Sequence, residues 1–397
     1  RLQGLFSITS TLAAALALGA TVQAQGAWSD PTNDQRVVCF AEGTDAGYMD
    51  AVNQLIPPMP EYFIGARWTG GSTGDPSVQT WSFVPDGLSI TGSAGEATSP
   101  SNLFAQMDSK FGGIANRATW INRIQMSFDR WEQLSGIDFT RVTAAGVEWD
   151  DNAAWCTAGN DSTRGDIRIS AHNIDGVKGI LAYTFYPQNG DMVIDSSEGW
   201  GSSGSTHIFL RNVVTHELGH ALGIDHICTN NSNQLMEPFY SAAFDGPRQD
   251  DIRAVQRNYG DENEGDNTFG AAKLVTLVDA VSATFGTPAL PPTGANDAAS
   301  STLSIDANGE QDWFKFTIAG TKKLDVTLTP IGTSYDDNAQ AGNGSCPSGV
   351  TTNALAMADL SVQVYASNGT TVLATAAANA AGLAETLVDV VLASAGT

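Results

Sequence analysis

Apolar residues recur at helical spacing in one segment before residue 260. Large apolar side chains fall there at steps of three and four residues, at Ile121, Ile124, Phe128, Trp131 and Leu134. This spacing predicts a long helix with one buried face, and a second helix is predicted over about 206–222. Short apolar runs predict strands at 81–84, 139–142, 167–170 and 193–195. A strand, a helix, several strands and another helix are the order expected of an α+β domain.

The pattern changes after residue 260. Apolar and polar residues alternate in three segments, at 312–318, 324–328 and 360–364. Turn residues separate them, so we predict an all-β sandwich, and the chain stops one strand short of the number expected for it. Arg257 is the last arginine, and the acidic, glycine-containing stretch 261–267 follows it. We therefore predict an α+β domain over 66–262 and the sandwich, truncated, over 263–397.

The first residues have the pattern of a targeting signal. An apolar run over 12–20 precedes Val22-Gln23-Ala24, which places small residues where a signal peptidase cuts. We predict a signal peptide over 1–24 and a secreted protein, extracellular or periplasmic. Residues 25–65 contain a proline-rich stretch and a short predicted helix near 48–55. We expect them to be an N-terminal extension or pro-segment.

The charge balance excludes two classes of partner. The 397 residues contain 19 Lys and Arg against 43 Asp and Glu, a formal charge of −24. Binding to nucleic acid through its phosphates, or docking on an anionic membrane, is therefore not expected. Internal apolar stretches are also shorter than the roughly 20 residues of a membrane span.

One segment, His216 to His226, has the spacing of a metal centre. His216 and His220 are four residues apart, so on a helix they lie on one face, one turn apart. Glu217 is adjacent and lies beside the same site. Gly223 is suited to ending the helix with a positive φ, so that the chain turns back and His226 becomes a third ligand. Three neutral imidazoles leave an open position on zinc, which is the catalytic arrangement.

The extended motif resembles that of the matrixins, a family of metzincin metallopeptidases. Met236, ten residues after His226, resembles their Met-turn. Further similar stretches are 128–131, 136–139, 165–169 and 250–256, so that the resemblance covers about 67–261. It implies a twisted, mostly parallel sheet, an active-site helix and a C-terminal helix, which Asp250 is expected to cap. It also implies one catalytic zinc, Glu217 as general base, and an extended peptide bound antiparallel to an edge strand.

The resemblance also bears on other metals. Matrixins carry a second zinc, but Tyr183 and Val193 stand at two of its ligand positions here. His172 alone remains, and we expect it at the surface or at a strand end. The structural calcium of the family is better preserved, with Asp175, Asp195 and Glu198 as expected ligands, because carboxylates suit calcium.

The cysteines and the tail leave alternatives open. Cys39 is expected either to cap the zinc as a thiol, although the latency motif of the family is absent around it, or to form a disulfide. Cys156 with Cys228 is a plausible bridge, and the four cysteines permit three full pairings. The tail resembles the bacterial pre-peptidase C-terminal domain at 266–269 and 311–314.

These features together predict a secreted zinc-dependent endopeptidase that acts on proteins or peptides, those of an extracellular matrix among them. The alternative is a catalytically inactive adhesion or binding protein that keeps the metal for stability. A metal-dependent hydrolase of another substrate class is a second rival. The intact Glu217 argues against the first, and the long motif with its Met-turn argues against the second.

Overall fold

A computed structural model describes residues 2–11, 36–41, 43–53, 66–68, 70–229, 233–291, 301–306, 309–338, 340, 346 and 350–393. Its helices are α1 Ala46–Asn53, α2 Leu103–Lys110, α3 Arg117–Leu134, α4 Ile208–Ala221 and α5 Gln249–Tyr259. Up to residue 200 its strands are β1 Leu2–Thr11, β2 Arg36–Phe40, β3 Ser77–Phe83, β4 Ser89–Ile90, β5 Ser99–Pro100, β6 Ile137–Arg141, β7 Thr143–Ala144, β8 Val147–Glu148, β9 Ile167–His172, β10 Ile180–Phe185 and β11 Met192–Asp195. Beyond it they are β12 Lys273–Leu274, β13 Gln311–Ile318, β14 Lys322–Leu328, β15 Ser334–Asp337, β16 Val350–Asn353, β17 Asp359–Tyr365, β18 Val372–Ala376 and β19 Glu385–Leu392.

The central sheet has the strand order β2-β10-β11-β9-β3-β6. β3 is parallel to β6 and β9, and β9 is parallel to β11. β10 is antiparallel to β11, and β2 is antiparallel to β10. The sheet is mixed and mostly parallel, and it belongs with α3, α4 and α5 to an α+β fold, as the sequence predicts.

The main core lies between this sheet and the helices. Trp81 of β3 stacks on Phe128 of α3 with ring centroids 4.0 Å apart, and both side chains are fully buried. The indole of Trp131 donates a hydrogen bond to the carbonyl oxygen of Thr215, 2.9 Å away, and so ties α3 to α4. Helix α4 is buried all along 210–221. The metal-binding segment is therefore held on a rigid element inside the core.

The tail after residue 272 is rich in β-strands, as predicted. β12, β13, β1, β17 and β18 form one sheet, and β14 pairs with β19 in another. Side chains of both sheets meet in one apolar cluster that includes Phe316, Val362 and Leu387. The predicted strands at 312–318, 324–328 and 360–364 lie within β13, β14 and β17. The position of the domain boundary stays a prediction.

Residues 2–11 lie in the tail sheet as strand β1, antiparallel to both β13 and β17. This segment is part of the predicted signal peptide. The apolar run of that signal, over 12–20, and the predicted cleavage site after Ala24 lie outside the described residues. The signal peptide stays a prediction. None of the described helices is long and apolar enough to cross a membrane.

The disulfide differs from the bridge considered in the sequence analysis. Cys228 is bonded to Cys346 of the tail, and neither Cys39 nor Cys156 forms a disulfide. The reason is tertiary: the chain after β15 packs on the loop that follows the metal site, where the Cys228 N–H donates to the Asn338 carbonyl oxygen at 2.7 Å. Cys156 lies elsewhere, with its N–H directed to the carboxylate of Asp191.

Candidate metal centre and active site

Three histidines converge on one point beneath the end of α4. Their Nε2 atoms are separated by 3.0 Å between His216 and His220, and by 3.2 Å from each of these to His226. Tetrahedral ligands at zinc–nitrogen distances of about 2.1 Å lie roughly 3.4 Å apart, so the arrangement fits zinc closely. All three side chains are buried.

The other ring nitrogen of each histidine is held by an oxygen acceptor. Nδ1 of His216 donates to the Leu235 carbonyl and Nδ1 of His220 to the Ile224 carbonyl, each at 2.7 Å. Nδ1 of His226 donates to Gln340 Oε1 of the tail at 2.8 Å. These bonds place the proton on Nδ1 and leave each Nε2 lone pair free for a metal.

Electrostatics keeps the rings neutral. Burial, followed by the charge that His226 would carry, lowers the pKa of His216 to about 3. Burial likewise lowers the pKa of His226 to about 4 and that of His220 well below its ordinary value. Neutral imidazoles are the form that binds zinc, so the donor set suits it chemically as well as geometrically.

Glu217 has one oxygen held and one oxygen free of hydrogen bonds. Thr184 of β10 donates its hydroxyl to Oε2 at 2.7 Å, whereas Oε1 is buried and has no hydrogen-bond partner among the described residues. Burial raises the pKa of Glu217 to about 8, although the bond from Thr184 lowers it. Sequence reasoning missed Thr184, because its contact with Glu217 spans 33 residues.

The predicted turn after α4 is present. Gly223 has φ +86°, and a Cβ at this position would lie 1.8 Å from the Ala66 carbonyl oxygen. Asp225 Oδ1 then accepts hydrogen bonds from the His226 N–H at 2.7 Å and from the Tyr186 hydroxyl at 3.0 Å. Glycine is required here by both conformation and space, and Asp225 orients the third ligand.

The predicted Met-turn packs directly on the metal-binding helix. Met236 is fully buried, and a Cβ on Gly219 would lie 2.3 Å from its sulfur. Asp251 accepts the N–H groups of Leu235 at 2.7 Å and Met236 at 2.9 Å.

The expectation that Asp250 caps α5 is wrong. Arg248 is the residue before the helix, and its N–H donates to the carboxylate of Asp251. A side chain at the third helical position is the one that reaches back to this N–H.

Comparison with known proteins agrees with this geometry. Residues 106–260 match the Matrixin family of M10 peptidases. This region is a matrixin-like metzincin domain. The chain is 31% identical over 167 residues to the hatching enzyme of Paracentrotus lividus, which covers 39% of this chain and 25% of that protein.

Two further relatives match a similar length of the chain. Karilysin of Tannerella forsythia is 35% identical over 145 residues, 35% of this chain and 28% of karilysin. Matrix metalloproteinase-18 of Xenopus laevis is 35% identical over 145 residues, 34% of this chain and 28% of that protein. The chain therefore spans about a quarter of the length of these curated relatives.

An edge of the matrixin domain is occupied by the N-terminal segment. Strand β2 pairs with β10, with Cys39 opposite Ala182. On its other side the Phe40 N–H donates to the Pro238 carbonyl at 3.1 Å, and the Phe40 carbonyl accepts from the Tyr240 N–H at 3.3 Å. The segment thus lies between β10 and the chain after the Met-turn.

Cys39 lies beside His216 and Glu217. Its sulfur, a ring nitrogen of His216 and a carboxylate oxygen of Glu217 all lie within 4.8 Å of one another. The thiol is buried and free, so the disulfide expected as one alternative is wrong. Burial, followed by the Glu217 charge, raises its pKa well above the ordinary value.

The positions of the family's second zinc carry a different polar group. His172 Nε2 lies 3.1 Å from Glu96 Oε1, to which the Tyr183 hydroxyl also donates at 2.8 Å. His172 is at the end of β9, as expected, but it is fully buried rather than at the surface. Val193 lies in an apolar cluster on the same face of the sheet as Tyr183.

The three predicted calcium ligands of the matrixin domain lie on neighbouring loops. Asp195 accepts the N–H groups of Asp175 at 3.3 Å and Ser197 at 2.7 Å, and Glu198 accepts the Lys178 N–H. Burial raises the pKa of Glu198. The hydrogen bond from the Lys178 N–H lowers it, and the charge of Asp195 raises it further. The carboxylates are near one another, but calcium binding by them stays a prediction.

Proposed function

We propose that this chain is a secreted zinc-dependent endopeptidase that hydrolyses peptide bonds in proteins. The observation that supports it best is the pairing of three neutral, converging imidazoles with a buried carboxylate oxygen that lacks a partner. His216, His220 and His226 would hold one zinc. When bound, zinc supplies a Lewis acid that polarises the scissile carbonyl and acidifies a water molecule.

Glu217 acts as the general base in this proposal. Its Oε2 is held by Thr184, so the unpartnered Oε1 is the oxygen that takes the proton of the attacking water. The same carboxyl group then gives the proton to the leaving amine. Burial raises the pKa of Glu217 in the metal-free chain, and a zinc ion on the histidines would lower it again and so favour the carboxylate form that accepts a proton.

The test of the catalytic role is Glu217→Ala in the chain freed of residues before 66. We expect it to fold and to bind one zinc by elemental analysis, yet to lose about 10²- to 10⁴-fold in peptide cleavage. Asp129→Asn, an exposed acid on α3, is the charge-matched control and should cleave normally. Wild-type cleavage by the zinc-loaded Glu217→Ala variant would remove Glu217 from the mechanism.

The rival adhesion or binding function predicts a different result from the same material. A zinc-loaded wild-type chain that cleaves no member of a peptide library would favour it. An endopeptidase instead cleaves the library, and a metal chelator abolishes the cleavage.

We infer that the substrate is an extended peptide that binds along β10. This edge is where β2 now lies, antiparallel to β10 and in contact with the Pro238–Tyr240 segment. Substrate and β2 would compete for the same backbone groups, so β2 has to leave before a peptide enters. The Cys39 sulfur lies near His216 and Glu217, and we propose that its thiol also inhibits by binding the zinc.

The inhibition by β2 and the inhibition by the Cys39 thiol can be tested separately. Phe40→Pro removes the N–H that bonds to Pro238 and should raise peptide cleavage by the full chain. Cys39→Ala tests the thiol, with Cys156→Ala, the other cysteine outside the disulfide, as its matched control. If neither Phe40→Pro nor removal of residues 1–65 raises activity, β2 does not inhibit.

We also propose that Asp175, Asp195 and Glu198 bind a structural calcium. Binding to the native state alone stabilises it by about 2.7 kcal/mol at a calcium concentration of roughly 100 times Kd. We expect calcium to raise the melting temperature of the calcium-stripped chain, and Asp195→Ala to reduce that increase while zinc content stays at one. An unchanged increase in Asp195→Ala would show that calcium binds elsewhere only.

A further inference from the structure

The loop that connects β15 to β16 reaches from the tail to the third zinc ligand of the matrixin domain. β15 and β16 are antiparallel, with Asp337 opposite Val350, so residues 338–349 form the connection. Its described residues are 338, 340 and 346. Each of these three contacts the short segment from His226 to Cys228. We call the connection the hairpin loop.

The three contacts of the hairpin loop differ in kind. The Asn338 carbonyl oxygen accepts the Cys228 N–H at 2.7 Å. Gln340 Oε1 accepts the Nδ1 proton of His226 at 2.8 Å. Cys346 is bonded covalently to Cys228, from which it is separated by 118 positions in the sequence. Along the loop, the contact that orients the histidine therefore lies between a hydrogen bond and a disulfide.

The start of the hairpin is fixed without the disulfide. Tyr335 of β15 is 3% exposed and belongs to the main core, and its hydroxyl donates to Asp250 at the start of α5. Gln249 Oε1 accepts the N–H and the hydroxyl of Thr333, each at 2.6 Å. None of these contacts involves sulfur, so β15 should stay on α5 when the disulfide is broken.

The disulfide restricts the conformations that are available to Gln340. A connection of about a dozen residues has many conformations unless tertiary contacts select one. The bond to Cys228 holds the hairpin loop at the metal-binding segment. Without it, the loop would be held by β15, by β16 and by hydrogen bonds that exchange with water. Gln340 would then bond to His226 for a smaller part of the time.

The two sulfur atoms of the disulfide differ in their access to solvent. Cys228 is completely buried, whereas Cys346 is exposed. The rate of thiol–disulfide exchange depends on access to the sulfur that is attacked. A thiolate in solution can therefore reach the bond from the side of Cys346.

We propose that the Cys228–Cys346 disulfide is a redox-sensitive lock on the third zinc ligand, which a dithiol reductant opens. One thiolate of the dithiol attacks Cys346 Sγ, the bond between the two cysteines breaks, and the Cys228 sulfur leaves and takes up a proton. The second sulfur of the dithiol then displaces Cys346 and closes the dithiol's own disulfide. Two electrons and two protons thus pass from the dithiol to the two cysteines. The inference rests on the proposed zinc site, whose affinity the lock controls.

The zinc affinity of the full chain tests the lock. The chain carries Glu217→Ala to prevent self-cleavage and is loaded with one zinc. It is compared with the same chain after reduction by a dithiol, removal of the dithiol without oxygen, and reloading. Competition with a chelating dye should show about 10-fold weaker zinc binding after reduction, the lower end of the effect of losing a partner of a metal-binding histidine. An unchanged affinity would overturn the proposal.

Variants separate an effect through Gln340 from a general loss of structure. Cys228→Ala with Cys346→Ala should bind zinc like the reduced parent and should not respond to the dithiol. In Gln340→Ala the affinity is already lower, so reduction should change it little. An equal loss on reduction with and without Gln340 would show that the disulfide does not act through this residue. Cys156→Ala is the matched control and should keep the full response, because Cys156 lies outside the disulfide.

Hydrogen exchange gives a readout that does not depend on zinc. Reduction should speed the exchange of the Cys228 N–H, which Asn338 accepts, but not that of the Met236 N–H, which Asp251 accepts. A chain that binds no zinc in either redox state would contradict the proposed zinc site. Faster exchange at Cys228 in that chain would still support the opening of the hairpin loop, whereas equal exchange in the two states would overturn the lock.

Discussion

At the scale of single residues, Glu96, His172 and Tyr183 form a buried hydrogen-bonded group at the positions where the resemblance to matrixins implies a second zinc. Burial alone would raise the pKa of Glu96. Its hydrogen bonds, of which that from His172 has the largest effect, instead lower this pKa from 4.5 to about 2. A carboxylate satisfied in this way keeps His172 and Tyr183 buried without an ion. This is the physical reason to expect one zinc per chain rather than two.

The lowered pKa of Glu96 predicts a pH dependence of stability. A carboxyl group whose pKa is lower in the folded state stabilises the fold above its unfolded pKa and stops doing so as the pH falls through the folded value. We therefore expect a loss of roughly 3 kcal/mol between about pH 4.5 and pH 2, with Glu96→Gln losing much less in that window. Urea unfolding at several pH values measures it, and Asp138→Asn, an exposed strand residue, is the control.

The sequence allowed prediction of the residues that act through local spacing. His216, Glu217, His220 and Gly223 fall within eight positions of one helix and its turn, so their roles follow from helical geometry. Thr184, Asp251 and Gln340 could not be found in this way. Each of them reaches the site only because the tertiary fold brings distant segments together. Gln340, for example, is 114 residues from His226, whose ring it holds.

At the scale of elements, α3 was predictable because apolar residues repeat along one face of it, while β2 was not. Its segment, Val37 to Phe40, is too short and too uniformly apolar to indicate a partner. The pairing with β10 depends on the exposed edge of a sheet built from distant residues. For the same reason both sequence-based alternatives for Cys39 stayed open until the strand was placed.

The packing of α4 on the Met-turn predicts the effect of a single methyl group. In Gly219→Ala the new Cβ would overlap the Met236 sulfur, so we expect a loss of about 1–3 kcal/mol in the free energy of unfolding. Zinc affinity should fall as well, because Leu235, next to Met236, holds His216. Gly270→Ala is the matched control, since no atom lies within 4 Å of its Cβ position. Equal stability of the two variants would contradict this packing.

At the scale of the whole molecule, the tail takes part in the metal centre of the matrixin domain. The Cys228–Cys346 disulfide joins the loop after His226 to the tail, and Gln340 accepts the Nδ1 proton of His226. Neither connection could be derived from the sequence, because pairing among four cysteines and contacts between domains both depend on the tertiary fold. The tail is thus a support for the third zinc ligand.

This support predicts that a tail substitution changes metal affinity. Loss of a hydrogen-bond partner of a metal-binding histidine typically costs about 10- to 100-fold in affinity, so Gln340→Ala should release zinc at correspondingly lower chelator concentrations. Competition with a chelating dye measures this. Thr351→Ala, an exposed residue of the adjacent β15–β16 hairpin, should leave the affinity unchanged. Identical zinc affinities in the two variants would show that Gln340 does not position His226.

The placement of β2 on β10 has a consequence for how activity depends on dilution. While the segment is covalently joined to the domain, its effective concentration at the cleft is fixed by the connecting chain, at the millimolar level for short flexible connections. Dilution then does not activate the enzyme. In a chain that also lacks β1, which pairs with the tail, a cut between Phe40 and the domain converts this into ordinary bimolecular binding, so that a cleaved preparation inhibits itself when concentrated and becomes active when diluted.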